Sequence, residues 1–243
     1  ASRELIDPAR PLGQALVLDD QSNDTWAHGV FRFDKEMGAF EFSGMTLLDQ
    51  GPLRAAVEAL FRYGESELRI RYALYYDSPI LHMDCTLSLR QPHVQVKLCF
   101  PAALDSPDFL CSIPYGFLVK GTDGVEEPAQ KWVALSEPGT GYGIALINDC
   151  KHSFCAVQNE LRVMVARSAI YADHFGHRDG HAAYQDMAPQ QFCLRLLPFS
   201  SEKQEEAVRA ALLLAMAPRL VMDTHHGGAR PNRLTGSCIS REN

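Results

Sequence analysis

The sequence predicts a mainly β fold: one large, mostly antiparallel β domain with a single helix near its C-terminal end. Three observations predict it. Apolar and polar residues alternate with period two along most of the chain. Gly-, Pro- and Asp-bearing turn signals separate the alternating runs. One segment alone carries both helix start and helix stop chemistry.

Taking the strands in order of clarity, "ELRIRYALYY" puts Leu68, Ile70, Tyr72 and Leu74 on one face and Arg69 and Arg71 on the other. "HVQVKLCF" sets Val94, Val96, Leu98 and Phe100 against Gln95, Lys97 and Cys99, so a half-buried strand with an outward polar face is expected. The runs "GVFRF", "AFEFSGM", "YGIALIND", "LRVMVARS", "QQFCLRLLPF" and "PRLVMDTHH" follow the same pattern. "YYDSP", "LRQPH", "KGTDG" and "SEPGTG" read as turns between them. "DKEMG", lying between "FRF" and "AFEF", reads as a hairpin loop closed by Gly38.

The helix is "SSEKQEEAVRAALLLAMAP". Ser200 or Ser201 can cap it, Glu202, Glu205 and Glu206 suit its positive end, and Pro218 bounds it. "LRAAVEALF", at 53–61, is compatible with either helix or strand. No repeat, low-complexity tract or linker divides the chain. On the extent of a resemblance set out below, residues 1–16 are assigned to an N-terminal extension and 17–243 to the sandwich. "LTGSCISREN" looks like the start of a further strand, so the sandwich is expected to continue beyond it.

Composition narrows the classes. The 243 residues are 46% hydrophobic and 22% charged, which suits a globular chain with a sizeable core. The net charge is −7 and the cations are scattered, which argues against a nucleic-acid partner. No apolar stretch approaches the roughly 20 residues a membrane helix needs, so no membrane partner is expected. "ASRELIDPARPLG" lacks an apolar signal-peptide core and reads as a processed start. The seven cysteines are odd in number and form no C-x-x-C pair. Free, mostly buried thiols in a reducing compartment follow, and with them a cytoplasmic location.

Several clusters could carry chemistry. In "YADHFGHRDGH", His174, His177, Asp179 and His181 follow H-x2-H-x-D-x-H, and zinc accepts both residue types. Gly176 and Gly180 exclude a helical chelate. A polar surface loop, a loop facing substrate or a neighbouring domain, and a metal site all remain, the metal with least support. His82 and Asp84 share one strand face, as do Asp223 and His225. Trp26, in "DDQSNDTWAHG", and Trp132, in "EEPAQKWVAL", each sit among carboxylates and amides. That is the chemistry that grips sugars, with the ring under an apolar sugar face and polar groups on the hydroxyls. Each Trp could equally anchor its loop onto the sheet. No G-x-S-x-G elbow, P-loop or G-x-G-x-x-G occurs.

The segment from Ile113 to Gly176 resembles the C-terminal β region of the α-mannosidases of glycoside hydrolase family 38. It carries E-x-P-x-Q-x-W as Glu126 or Glu127, Pro128, Gln130 and Trp132. "YGIALINDCK" follows, then "VARSAIYADH" with Arg167, Ser168, Tyr171, Asp173 and His174. "DTWAHG", "GPLRAAV" and "THHGG" extend the resemblance from about residue 17 to the end. Ala134 and Ala169 depart from the family pattern.

The resemblance implies a galactose-mutarotase-like supersandwich that braces an N-terminal catalytic barrel of the same polypeptide. That barrel would hold the zinc and the nucleophilic aspartate and act on a mannose-containing carbohydrate. No cofactor is expected in this chain, and no catalytic or metal-ligating residue is carried over. His82-Met83-Asp84 matches the family's His-x-Asp zinc motif in letters only. Candidates for substrate or interdomain contact are Trp26, Glu127, Gln130, Trp132, Arg167, Tyr171, Asp173, His174 and His225. The alternative is a standalone carbohydrate-binding or aldose-epimerase-like module using His82, Asp84, Glu127 and His225.

Overall fold

The computed structural model describes residues 3–20, 25–171 and 183–216. Two antiparallel sheets face each other. The smaller, sheet A, has six strands in the order β10-β13-β14-β7-β1-β2. These are β1 (Gln14–Asp19), β2 (Glu36–Ala39), β7 (Val94–Pro101), β10 (Glu127–Pro128), β13 (Ser153–Val157) and β14 (Glu160–Arg167). Sheet B has nine strands in the order β3-β4-β5-β6-β15-β12-β11-β8-β9. They are β3 (Glu41–Gln50), β4 (Arg54–Tyr63), β5 (Ser66–Tyr75), β6 (Leu81–Ser88), β8 (Asp108–Ile113), β9 (Gly116–Lys120), β11 (Trp132–Ser136), β12 (Tyr142–Asn148) and β15 (Gln190–Ser200).

The strand pattern explains the core. Leu68, Ile70, Met83, Leu87, Phe192, Leu194, Leu146, Val133 and Phe109 point inward from sheet B. Val17, Val94, Val96, Leu98, Phe100, Leu161, Val163 and Phe154 meet them from sheet A. Each such side chain contributes about 1.5–3 kcal/mol on leaving water. A second core lies on the outer face of sheet B. There α1 (Gln204–Ala215) lays Ala207, Ala210 and Ala211 over Leu110, Trp132, Ala134, Ala145, Ile147, Leu197 and Phe199. Small residues on the helix and on β11 and β12 let the two approach closely. Among the described residues no helix is long and apolar enough to cross a membrane.

Most predicted strands form, and 54–61 of the ambiguous segment are strand, within β4, with Leu53 in the turn before it. Four expectations differ. "GVFRF", at 29–33, joins neither sheet. "DKEMG" is not a hairpin loop: Gly38 lies inside β2, which pairs with β1 in sheet A, while β3 belongs to sheet B. β7 does not expose a polar face, because Gln95, Lys97 and Cys99 are as buried as their apolar neighbours. The helix begins through a 3-10 turn, Ser201–Lys203, and Ser200 makes no side-chain capping bond. "PRLVMDTHH" lies outside the described residues. The six described cysteines are all unpaired, and Cys85, Cys99, Cys111 and Cys155 are buried.

Residues 3–13, placed in the extension above, run along the body. Ile6 bridges to Ala102, and the boundary drawn at residue 16 falls within β1. Arg3 forks onto Glu137 at 2.7 and 2.8 Å, and Glu137 also accepts from Thr140 at 2.6 Å and from the Asp105 amide at 3.1 Å.

Two outcomes are expected. A Cβ at Gly143 would sit 1.8 Å from the Leu135 carbonyl oxygen of the adjacent strand, and backbone there cannot yield. Gly143→Ala should therefore cost more than about 3 kcal/mol in urea unfolding, or leave the chain insoluble. Arg3, then Thr140 and the Asp105 amide, hold the Glu137 carboxyl down at about 2, from 4.5. Because the folded value is depressed, this contribution is full above pH 4.5 and is lost as pH falls toward 2. Thermal melts should show Glu137→Gln losing less stability than the parent across that window.

Candidate functional site

The outer face of sheet A carries Gln95, Lys97 and Cys99 of β7, with Cys155, Arg162 and Met164 beside them. Such a face would normally meet water. Here the chain from Thr25 to Lys35 crosses it as a strap, and the buried polar groups must find partners beneath it.

Lys97 is 1% exposed. Its ammonium bonds the Glu126 carboxylate, donates to the Phe33 carbonyl at 3.4 Å and lies 3.4 Å from the Cys155 thiol. The same ammonium stands 5.9 Å from the Phe33 ring centre. Glu126 takes a second bond from the Ser153 hydroxyl at 2.9 Å, and its amide donates to the Phe31 carbonyl at 2.9 Å. Arg32 to Asp123, at 2.6 Å, and Lys35 to Asp19, at 2.5 Å, fasten the strap further along.

A second ion pair stands at the mouth. Asp20 is 0% exposed and receives the Arg167 guanidinium in a two-point fork, at 2.9 and 3.2 Å. Arg167 also donates to the Thr25 carbonyl at 2.9 Å, and its amide donates to Asp186 at 3.0 Å. Its guanidinium lies 5.5 Å from the Phe33 ring, so that one ring serves two cations. The neighbouring Ser168 hydroxyl donates to the Gln91 carbonyl at 2.7 Å and accepts from the Val94 amide at 3.1 Å. Arg suits this position because its rigid fork matches a carboxylate edge at two points.

The strap thus gathers part of the predicted set. Thr25 donates its hydroxyl to the Ile170 carbonyl at 3.3 Å, which brings the segments bearing Trp26 and Tyr171 together beside Arg167. Trp26 is 62% exposed, stacked 6.2 Å from His28, and Tyr171 is also exposed. Asp173, His174 and His225 lie outside the described residues, as do His177, Asp179 and His181.

Glu127, Gln130 and Trp132 stand apart from this mouth. Glu127 pairs with Lys120 at 2.8 Å. Gln130 serves through its backbone, donating to the Ser112 carbonyl and accepting from Asn148 at 3.2 Å. Trp132 is 6% exposed, with its ring between Phe117 and Phe199 at 6.1 and 6.0 Å. Its indole fills the second core, and a groove of about 770 Å³ runs past it along α1, lined also by Tyr115, Lys131 and Leu212. Sequence reasoning missed Asp20, Phe33 and Lys97. The one available signal was a lysine centred in the apolar run "VQVKLCF".

Chemically, the cations of this layer are spent on carboxylates. Burial pushes the Cys155 thiol up to about 11 despite the nearby Lys97 ammonium, so it holds its proton at neutral pH. His82, on the far sheet, is shifted down by burial and then by Arg195. Among the described residues no three His, Cys, Asp or Glu side chains are placed to hold a metal ion. The layer holds loops in register rather than presenting a reactive group.

With this geometry in hand, comparison with known proteins gives a consistent result. The family described as "Glycosyl hydrolases family 38 C-terminal domain" matches residues 1–175. Alpha-mannosidase 2C1 of Mus musculus is 26% identical over 220 residues, covering 86% of this chain and 20% of that protein. Alpha-mannosidase G of Dictyostelium discoideum is 22% identical over 211 residues, covering 80% and 19%. The solved structure of an alpha-mannosidase from Enterococcus faecalis V583 superposes with a TM-score of 0.68 at 11% identity, over 84% of this chain and 28% of that one. The last shows the same fold. The chain spans about a fifth of the length of the curated relatives it matches.

Removing one member of the buried pair should expose its role. Lys97→Met strands the Glu126 carboxylate and is expected to cost about 3–5 kcal/mol in urea unfolding. Adding Glu126→Gln should recover a large part of that loss. A single-variant cost below about 1 kcal/mol would mean that the pair is not buried as described.

Proposed function

The chain belongs to the C-terminal domain family of the family 38 glycosyl hydrolases, and we propose that it is the non-catalytic β-sandwich of an α-mannosidase. Its match to that family, over a stretch that is only a fifth of the α-mannosidases it resembles, carries the reading. The polar layer under the strap supports it, because its charges are committed to holding loops. The partner is an N-terminal catalytic barrel of the same polypeptide. That barrel supplies the zinc and the carboxylates of a retaining glycosidase acting on a mannose-containing carbohydrate. The sandwich braces it, and the loops bearing Trp26 and Tyr171, fixed by Arg167, form part of the rim. Glu127 and Gln130 hold the edge of the sandwich, and Trp132 fills the core beneath α1. The reduced, largely buried thiols suit a cytoplasmic protein.

The reading is tested by assaying an aryl α-mannoside against the full-length polypeptide and against this chain alone. The full-length protein is expected to hydrolyse it and the isolated chain to be silent. Hydrolysis by the isolated chain would contradict the non-catalytic assignment. An inactive full-length protein would contradict the mannosidase assignment.

A further inference from the structure

Among the described residues sheet B has nine strands against six in sheet A, and part of its inner face has no described residue covering it. The overhang lies at β3 and the adjoining ends of β4 and β5. The register carries the core outward into it. Ile70, Ala59 and Met45 stand opposite one another across three strands, as do Tyr72, Val57 and Leu47, and Leu68, Phe61 and Phe42. The first residue of each row is buried or packed on the core. The last is not: Phe42, Met45 and Leu47 are 62%, 64% and 59% exposed. Leu53, in the turn between β3 and β4, and Leu74, at the end of β5, are exposed at the same end.

The opposite face of these strands has a different character. Glu58 lies 3.6 Å from Arg69 and 3.5 Å from Arg71, a charged surface suited to water. The exposed Phe42, Met45 and Leu47 thus share the side that continues the core. A sheet face of that kind is normally buried against a second layer. Edge-to-edge pairing with a second copy is opposed by β3 itself. Its register breaks between Phe42 and Gly44 and again between Leu47 and Asp49, and Glu41 and Asp49 lie along it. Bulges and charges are the usual means of blunting an edge. The relatives, in contrast, are about five times longer than the stretch matched here.

We propose that Phe42, Met45 and Leu47, with Leu53 and Leu74, form the seat on which the rest of the same polypeptide packs, through an apolar surface of its own. This rests on the domain reading above and adds to it the place of contact. The overhang then acts as an incomplete layer of the core that the neighbouring region completes.

Peroxide footprinting of Met45 tests it. The isolated chain should be monomeric by light scattering and its Met45 readily oxidised. In the full-length protein oxidation of Met45 should slow at least tenfold. Met45→Glu/Leu47→Glu should make the junction of the full-length protein cleavable by protease, while leaving the melting temperature of the isolated chain within a few degrees. Slow oxidation in a monomeric isolated chain would mean that its own residues cover the face, and would overturn the proposal. Protection that appears only with dimerisation would overturn it in favour of a second copy. Equal oxidation of Met45 in a full-length protein that still hydrolyses α-mannosides would overturn the seat and leave the domain reading standing. A full-length protein inactive on α-mannosides would remove the reading, and the proposal with it.

Discussion

The ammonium of Lys97 lies in the middle of sheet A with almost no access to water. A charge in that position persists only if its counter-charge and its other hydrogen-bond acceptors arrive with it. This ties three distant stretches to one condition. The strap must cross so that the Phe33 carbonyl and ring reach the ammonium, the turn before β10 must present Glu126, and β13 must bring Ser153 to Glu126. Arg167 and Asp20 repeat the arrangement at the strap's other end, with Phe33 shared. Buried ion pairs add little net stability compared with an apolar core, but they penalise every arrangement that leaves one partner alone. In this chain the layer fixes where the strap lies, and the strap fixes the mouth formed by Thr25, Arg167 and Ile170.

Each outer face of the sandwich is managed differently. Sheet A is closed by the strap, with polar partners matched beneath it. Sheet B is closed over β11, β12 and β15 by α1, with Trp132 and Phe199 filling the space under a row of helix alanines. Elsewhere its outer face is left charged. Among the described residues, the inner-face overhang at β3 follows none of these solutions.

Much of the architecture could be read from the sequence, because a strand buried on one side prints its period directly. Leu68, Ile70 and Tyr72 are inward as the alternation requires. The same rule failed on β7, since period two reports which residues share a face, not whether a second segment will cover the other one. It failed on "GVFRF" for the mirror reason. Phe31 and Phe33 alternate like a strand, yet their carbonyls are used by the Glu126 amide and the Lys97 ammonium instead of a ladder. "DKEMG" misled because a Gly-ended polar run marks a chain reversal without saying which sheet receives the next strand. Within the site, the family resemblance drew attention to Trp26, Arg167 and Tyr171, which the fold brings close. It could not separate the buried role of Trp132 from an exposed one, since an aromatic ring near carboxylates serves either. The partners of Asp20 and Lys97 were illegible because they come from long-range pairing, at sequence separations no local pattern encodes; only the lysine inside "VQVKLCF" hinted at a buried cation.

The polar layer under the strap is sealed from solvent, and lysine acetylation under native conditions reads that sealing out residue by residue. Lys35, on the rim and 78% exposed at its side chain, serves as the internal standard. Mass mapping should find Lys35 modified and Lys97 untouched until the chain unfolds. Acetylation of Lys97 at a rate close to that of Lys35 in the folded protein would show that the strap does not close the layer, and the account of how this domain holds its loops would fail.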